Sequence, residues 1–220
     1  MNRTIWPKVI DEDKTLDKIL EGYSIARYGD GELKLCSGGD CISQVQHPDL
    51  KAEMLEILKN KNKDCIVGIP NYVESPKKWF WDKVCTTRRY MNMLDYNTPY
   101  YSQFITRPDS APWINRPDFW NKMESLWKDQ DVILVAGSFR SLTKEKMKTM
   151  KSVTLVEGSY RDSYVHIDRL EKEILALPHH RVLLCIGATA TCLAARLARK
   201  GRHALDMGHI GMFWEKRIAE

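Results

Sequence analysis

No run of apolar residues in this 220-residue chain approaches the length of a membrane-spanning helix, and the amino-terminal "MNRTIWPKVIDEDK" lacks the apolar centre of a secretory signal. The expectation is a cytoplasmic protein with no membrane span. The six cysteines (Cys36, Cys41, Cys65, Cys85, Cys185, Cys192) contain no CxxC pair, so no zinc-type spacing is present. Most stand in apolar, strand-like surroundings and read as free thiols of a reducing compartment rather than as disulfides. Internal repeats, low-complexity tracts and linkers are missing, and like charges never gather into blocks. A net charge of +5 and a pI near 8.8 are only mildly basic. That balance suits a phosphorylated or polyanionic ligand and falls short of a nucleic-acid signature. Neither a Walker A loop nor a full GxGxxG appears.

What remains is an ordinary globular composition, 43% hydrophobic and 29% charged, at a length that fits a single domain over residues 1–220. The pattern alternates. Helices are expected at "TLDKILEGY" (15–23), "HPDLKAEMLEILKNKN" (47–62), "SPKKWFWDKVCTTRRYMNML" (75–94), "DFWNKMESLWKDQ" (118–130), "YVHIDRLEKEILAL" (164–177) and "TATCLAARLARKG" (189–201). Strands are expected at "SIARY" (24–28), "CIVGIP" (65–70), "YYSQFIT" (100–106), "DVILVAG" (131–137), "SVTLVEG" (152–158), "RVLLCIG" (181–187) and "HALDMG" (203–208). Short, β-branched runs buried on both faces and separated by helices predict an α/β, Rossmann-like fold with a mainly parallel sheet flanked by helices. Ligands bind such sheets at the carboxyl ends of the strands. The loops after strands are therefore the places to look.

Five such loops carry chemistry. After the first strand, "GDGE" places Asp30 and Glu32 on either side of Gly31. In an extended segment both carboxylates leave the backbone on the same side, where a divalent cation would relieve their repulsion. A solvated turn is the plainer reading of the same residues. "IGATATCLAARLA" follows a strand with Gly187 and small residues opening a helix, an arrangement that lets an anion approach backbone amides. Its plainer reading is tight helix–sheet packing. "LDMGHIGMFW" brings Asp206, Gly208 and His209 together, offering a base, a ligand or a hydrogen bond to a sugar hydroxyl, or only a structural turn. "VAGSFRS" offers Gly137, Ser138 and Arg140, and "ITRPDS" offers Arg107; the guanidinium fork suits phosphate, though a single arginine is commonly a surface ion pair. Of the tryptophans in the 79–120 region, Trp79, Trp81, Trp113 and Trp120 could stack on a sugar or base, with most expected to fill the core.

"RYGDGE" after a first strand, together with "GATATCLAARLARKGRHALDMGHI", resembles the bacterial glycosyltransferases of the GT-D fold. "ITRP" and "VAGSFRS" are weaker matches between them. The carboxyl-terminal stretch is the more specific, keeping Gly187, Thr189, Ala190, Thr191, Asp206, Gly208 and His209 in identity and spacing. The resemblance implies transfer of a hexose from a nucleotide sugar, UDP-linked, with Mn²⁺ or Mg²⁺ held at a DxE motif. Asp30 and Glu32 fill that motif, Glu32 being the expected direct ligand. Arg27, Gly29, Gly31, Arg107, Ser138, Arg140, Gly187, Ala188 and Thr189 are then the expected donor-binding residues, and Asp206 and His209 the expected catalytic pair. The acceptor would be a carbohydrate, a glycoprotein or a modified DNA base, and a homo-oligomer is compatible. Two rival readings use the same loops: a metal-dependent nucleotide hydrolase or phosphotransferase with water as acceptor, and a non-catalytic nucleotide- or nucleic-acid-binding module.

Overall fold

The structure, a computed structural model, describes residues 6–59, 63–137, 142–159 and 161–217. Eight strands form one sheet: β1 (Val9–Ile10), β2 (Ser24–Arg27), β3 (Cys65–Ile69), β4 (Tyr100–Ser102), β5 (Asp131–Ala136), β6 (Ser152–Glu157), β7 (Arg181–Cys185) and β8 (His203–Asp206). They lie in the order β1-β4-β3-β2-β8-β7-β5-β6, and every pairing between them is parallel. The expectation of an α/β sheet flanked by helices holds. Neighbouring strands β5 and β7 send their onward connections in opposite directions, β5 outward to β6 and β7 inward to β8. Such a divergence opens a crevice above the carboxyl ends of the central strands.

The side chains of each strand alternate between two cores, as the pleat requires. Ala26, Val67, Ile133, Val135, Val182, Leu184 and Ala204 pack toward helices α2 (Asp30–Cys36), α3 (Pro48–Leu58), α7 (Ile167–Ala176) and α8 (Thr189–Arg199). Ile25, Ile66, Val132, Leu134, Leu183 and Leu205 face the other way, toward α1 (Glu12–Leu20), α4 (Lys78–Cys85) and α6 (Pro117–Glu124). Trp81, Trp120 and Trp127 fill that second core together with Trp214 from the carboxyl-terminal turns. All six cysteines are free thiols, five of them buried. Among the described residues no helix is long and apolar enough to cross a membrane.

Several elements depart from the sequence pattern. The GDGE segment is not an extended loop but the first turn of α2, with Gly29 as its N-cap and Glu32 reaching back to the Gly29 amide at 2.8 Å. A glutamate at the third helical position closes on the capping residue's amide, so the motif that looks like a turn starts a helix. The helix expected over 75–94 splits into α4 and α5 (Arg88–Met91). Thr86 and Thr87 donate their hydroxyls to the carbonyls of Asp82 and Lys83, capping the end of α4. The strand expected over 100–106 stops at Ser102, whose hydroxyl accepts from the Phe104 amide and turns the chain into a 3₁₀ turn. Parts of the expected 47–62 helix fall on residues outside those described.

Candidate active site

A cleft of about 710 Å³ opens at the carboxyl ends of β2, β4, β5, β7 and β8. Its floor is set by Arg27, the last residue of β2, and Asp206, the last of β8. Both are buried, at 6% and 4% exposure, so neither charge is tolerable there alone. The Arg27 Nη2 lies 3.5 Å from the Asp206 carboxylate, and the Arg27 amide donates to that carboxylate at 3.2 Å. The Gly208 amide and the Thr191 hydroxyl add bonds at 3.1 and 3.4 Å. The rest of the guanidinium donates through Nη1 to the Gln103 carbonyl and the Thr106 hydroxyl, at 3.0 and 2.5 Å. Arg27 thus ties β2 to both β8 and the turn after β4. Burial raises the Asp206 carboxyl above its ordinary range even against the neighbouring Arg27 cation.

Glu32 and Asp30 stand at one edge of this floor. Asp30 is exposed, while Glu32 is half-buried with its carboxylate turned inward onto the Gly29 amide. Burial and then the Asp206 charge push Glu32 up to about 7, with Asp30 contributing in the same direction. Three carboxylates thus share a site where negative charge is under-compensated. A divalent cation fits that donor set: hard carboxylate oxygens are its natural ligands, and magnesium-type sites use one or two carboxylates with the remaining positions left to water and substrate phosphates. Among the described residues no group of three or more His, Cys, Asp or Glu side chains is close enough to hold a metal by itself.

The opposite wall comes from β7 and α8. Gly187 lines the cleft with φ at +63°, and a side chain there would stand 2.9 Å from the Ser43 hydroxyl. Glycine is needed for both reasons. The Ala190 and Thr191 amides are taken by the Gly187 and Ala188 carbonyls at 2.9 and 3.2 Å, and the helix dipole places partial positive charge at this end of α8. Ala188 and Thr189 lie buried beneath, not on the wall; the Thr189 hydroxyl donates to Gln44, which pins the 41–47 segment over the helix start. His209 follows the Gly208 turn, half-buried on the cleft surface.

Arg107 also reaches the cleft, held by two 2.8 Å bonds to Asp109, which Lys77 joins at 2.5 Å. Burial alone would raise the Asp109 carboxyl, but these two cations outweigh it and hold it at about 2. Two positive side chains share one carboxylate, leaving this flank net positive. The structure therefore brings Arg27, Gly29, Asp30, Gly31, Glu32, Arg107, Gly187, Asp206 and His209 around one cleft. Ser138 and Arg140 lie outside the described residues. Sequence reasoning missed Lys77, Gln103 and Ser110, which also line it. Ser110 closes the ITRPDS loop, of which the sequence pattern marks only Arg107, while Lys77 and Gln103 follow β3 and β4 in stretches without a motif that only strand order places beside β2.

A doubly wound parallel sheet with a crevice at its switch point defines a class: α/β proteins whose ligand sites lie beyond the carboxyl ends of the strands. Within that class the chain belongs to the glycosyltransferase GT-D fold family, whose signature matches residues 25–217. It is 27% identical over 226 residues to a probable glycosyl transferase, Gly, of Streptococcus gordonii, covering 94% of this chain and 32% of that protein. It is 26% identical over 217 residues to glycosyltransferase GlyD of Streptococcus pneumoniae serotype 4, covering 92% of this chain and 27% of the relative. The chain thus spans about a third or less of the curated relatives it matches. Its fold superposes with a TM-score of 0.85 on domain of unknown function 1792, described as having a distinct glycosyltransferase fold; identity is 24%, covering 97% of this chain and 83% of the other. A structure described as a new glycosyltransferase from Streptococcus sanguinis gives 0.83 at 24% identity, covering 97% and 87%.

Proposed function

We propose that the protein is a metal-dependent glycosyltransferase that moves a hexose from a nucleotide sugar, UDP-linked, to a hydroxyl acceptor. The observation that carries this reading is the convergence of Asp30, Glu32 and Asp206 at one strand-end crevice, where burial and then the Asp206 charge push Glu32 up to about 7. Asp30 and Glu32 would hold Mn²⁺ or Mg²⁺, which supplies charge compensation to the nucleotide diphosphate as it departs. The Gly187–Thr189 amides ahead of and at the start of α8, with Arg107 and Lys77 across the cleft, would stabilise the same negative charge from the protein side. Asp206 orients Arg27 and so fixes the floor. His209 is the group we assign to the acceptor hydroxyl, taking its proton as the new bond forms. A hydrolase would use the same residues with water in place of that hydroxyl.

The test is a donor screen with several nucleotide sugars and Mn²⁺, with and without candidate acceptors, detecting released nucleotide. Acceptor-dependent release of UDP that stops in EDTA is the expected result. Equal release without any acceptor would assign a hydrolase. Glu32→Gln should cost on the order of a hundredfold in turnover while leaving the fold intact, as far-UV circular dichroism would report. Full activity in EDTA would refute the metal.

A further inference from the structure

A second cavity, of about 250 Å³, opens at the opposite end of the sheet from the cleft, at the amino ends of β5 and β7. Gln130 and Asp131 form one side of it, and Pro178, His179, His180 and Arg181 the other. Arg181, the first residue of β7, lies in register between Val132 of β5 and His203 of β8. The five residues of β7 separate it from the Gly187 wall, roughly 15 Å along the strand. The proposed transfer uses none of these side chains.

The charge balance of this cavity is one-sided. Arg181 is half-buried, and among the described residues its buried Nε has no hydrogen-bond partner and no carboxylate pairs with its guanidinium. Burial pulls that guanidinium below the ordinary arginine range, with no acid to oppose it. A buried cation is normally matched by carbonyls or a carboxylate. Arg202 shows the contrast. It donates to the carbonyls of Leu175, Leu177 and His179, at 3.0, 2.7 and 2.5 Å, and so fixes the loop that carries the two histidines. Asp131, the carboxylate that lines the cavity, is already held by the Lys151 ammonium at 2.9 Å and the Ser152 hydroxyl at 2.5 Å. The His180 ring stands 6.3 Å from that of His203. Burial, and then the Arg181 and Arg202 charges, lower the His180 imidazole from its ordinary range, as an excess of positive charge requires.

We propose that this cavity is a second anion site, which takes a phosphate group, free or as a monoester, on the Arg181 guanidinium and the His179 and His180 imidazoles. A guanidinium fork matches two phosphate oxygens, and an imidazole N–H donates to a third. Gln130 offers an amide donor at the rim. A bound dianion relieves the repulsion among Arg181, Arg202 and His180 that the unliganded fold retains. The site stands apart from the carboxylates of the cleft and does not depend on the transferase reading.

Isothermal titration calorimetry of the full chain with inorganic phosphate and with glycerol 3-phosphate tests this, in EDTA to keep metal out of the cleft and at low ionic strength. At least one probe should bind the parent, the tighter one naming the source of the phosphate. Its Kd should rise about tenfold or more in Arg181→Gln and less in Arg181→Lys, which keeps the charge but not the fork. His180→Gln, at an exposed position, should weaken the same probe about fivefold while leaving Tm unchanged. No binding of either probe by the parent, or undiminished binding by Arg181→Gln, would overturn the proposal. Should Arg181→Gln fail to fold, undiminished binding by both Arg181→Lys and His180→Gln overturns it. Binding that Arg107→Gln abolishes and Arg181→Gln spares places the anion in the cleft and overturns it too. None of these measurements uses UDP or Mn²⁺, so a failure here leaves the transferase reading standing, and the loss of that reading leaves this site standing.

Discussion

At the scale of single residues, the site depends on how a buried arginine is accommodated. Gly208 has φ at +50°, and a Cβ there would stand 2.0 Å from the Arg27 Nη2. Gly208→Ala should therefore cost about 2–4 kcal/mol, combining left-handed strain with displacement of the guanidinium. A lowered urea midpoint with an unchanged m-value, together with lost turnover, would bear this out. The sequence marks Gly208 as a turn residue; that the missing side chain is also room for Arg27 is invisible in it. A second residue-level effect lies at the other end of β8. Burial, and then the nearby Arg181 charge, bring His203 down to about 4, and its ring bonds the Tyr23 carbonyl at 3.0 Å. Between pH 6.5 and 4 the unfolded chain binds a proton at this histidine that the folded chain refuses. Stability from this group is thus full above pH 6.5 and is lost on acidification toward 4, by up to about 3 kcal/mol. His203→Gln should be less stable than the parent at pH 7.5, and the gap in Tm should narrow as the pH falls to 4. A constant gap would show that the histidine does not titrate.

At the scale of elements, the amphipathic helices and apolar strands read correctly because their side chains announce which face is buried. Leu16 and Ile19 of α1 and the apolar run of β5 are examples. The elements that read wrongly are those ended by local hydrogen bonds: α2 begun by Glu32, α4 ended at Thr86 and Thr87, and β4 cut at Ser102. One-letter periodicity does not reveal which hydroxyl or carboxylate will bond the backbone. The carboxyl-terminal turns, residues 210–216, make the same point through packing. Trp214 is fully buried, 4.8 Å from Trp127 and 5.9 Å from Trp120 between ring centres, and donates its indole N–H to the Lys146 carbonyl at 2.8 Å. Trp214→Ala should destabilise by about 3–5 kcal/mol, measured by chemical unfolding. A change below 1 kcal/mol, roughly the cost of a surface substitution, would mean that these turns are not part of the core.

At the scale of the whole molecule, the cleft is assembled from five strand ends, so a ligand that fills it draws together segments far apart in the chain. If a nucleoside diphosphate binds as proposed, UDP with Mn²⁺ at about a hundred times its dissociation constant stabilises the folded state by about 2.7 kcal/mol. For a chain of this size that is a rise in Tm of roughly 5–10 °C. The rise should shrink in EDTA and in Glu32→Gln. Differential scanning fluorimetry with UDP, GDP, TDP and ADP ranks the bases; no shift with any of them would remove the nucleotide site.

By itself the sequence determined the alternation of helices and parallel strands, the strand-end position of the chemistry and the resemblance carried by RYGDGE and the 187–209 stretch, because hydrophobic period and glycine placement are local properties written along the chain. Tertiary structure alone decided that β2 lies against β8, so that Arg27 meets Asp206 across 179 positions, and that Gln103 and Ser110 stand beside the floor. It also decided that Asp30 and Glu32 open a helix rather than sit in an extended strand-end loop. Those outcomes follow from which strands pair and which buried charges must find partners. Such requirements are met only when distant segments come together, and no local pattern encodes them.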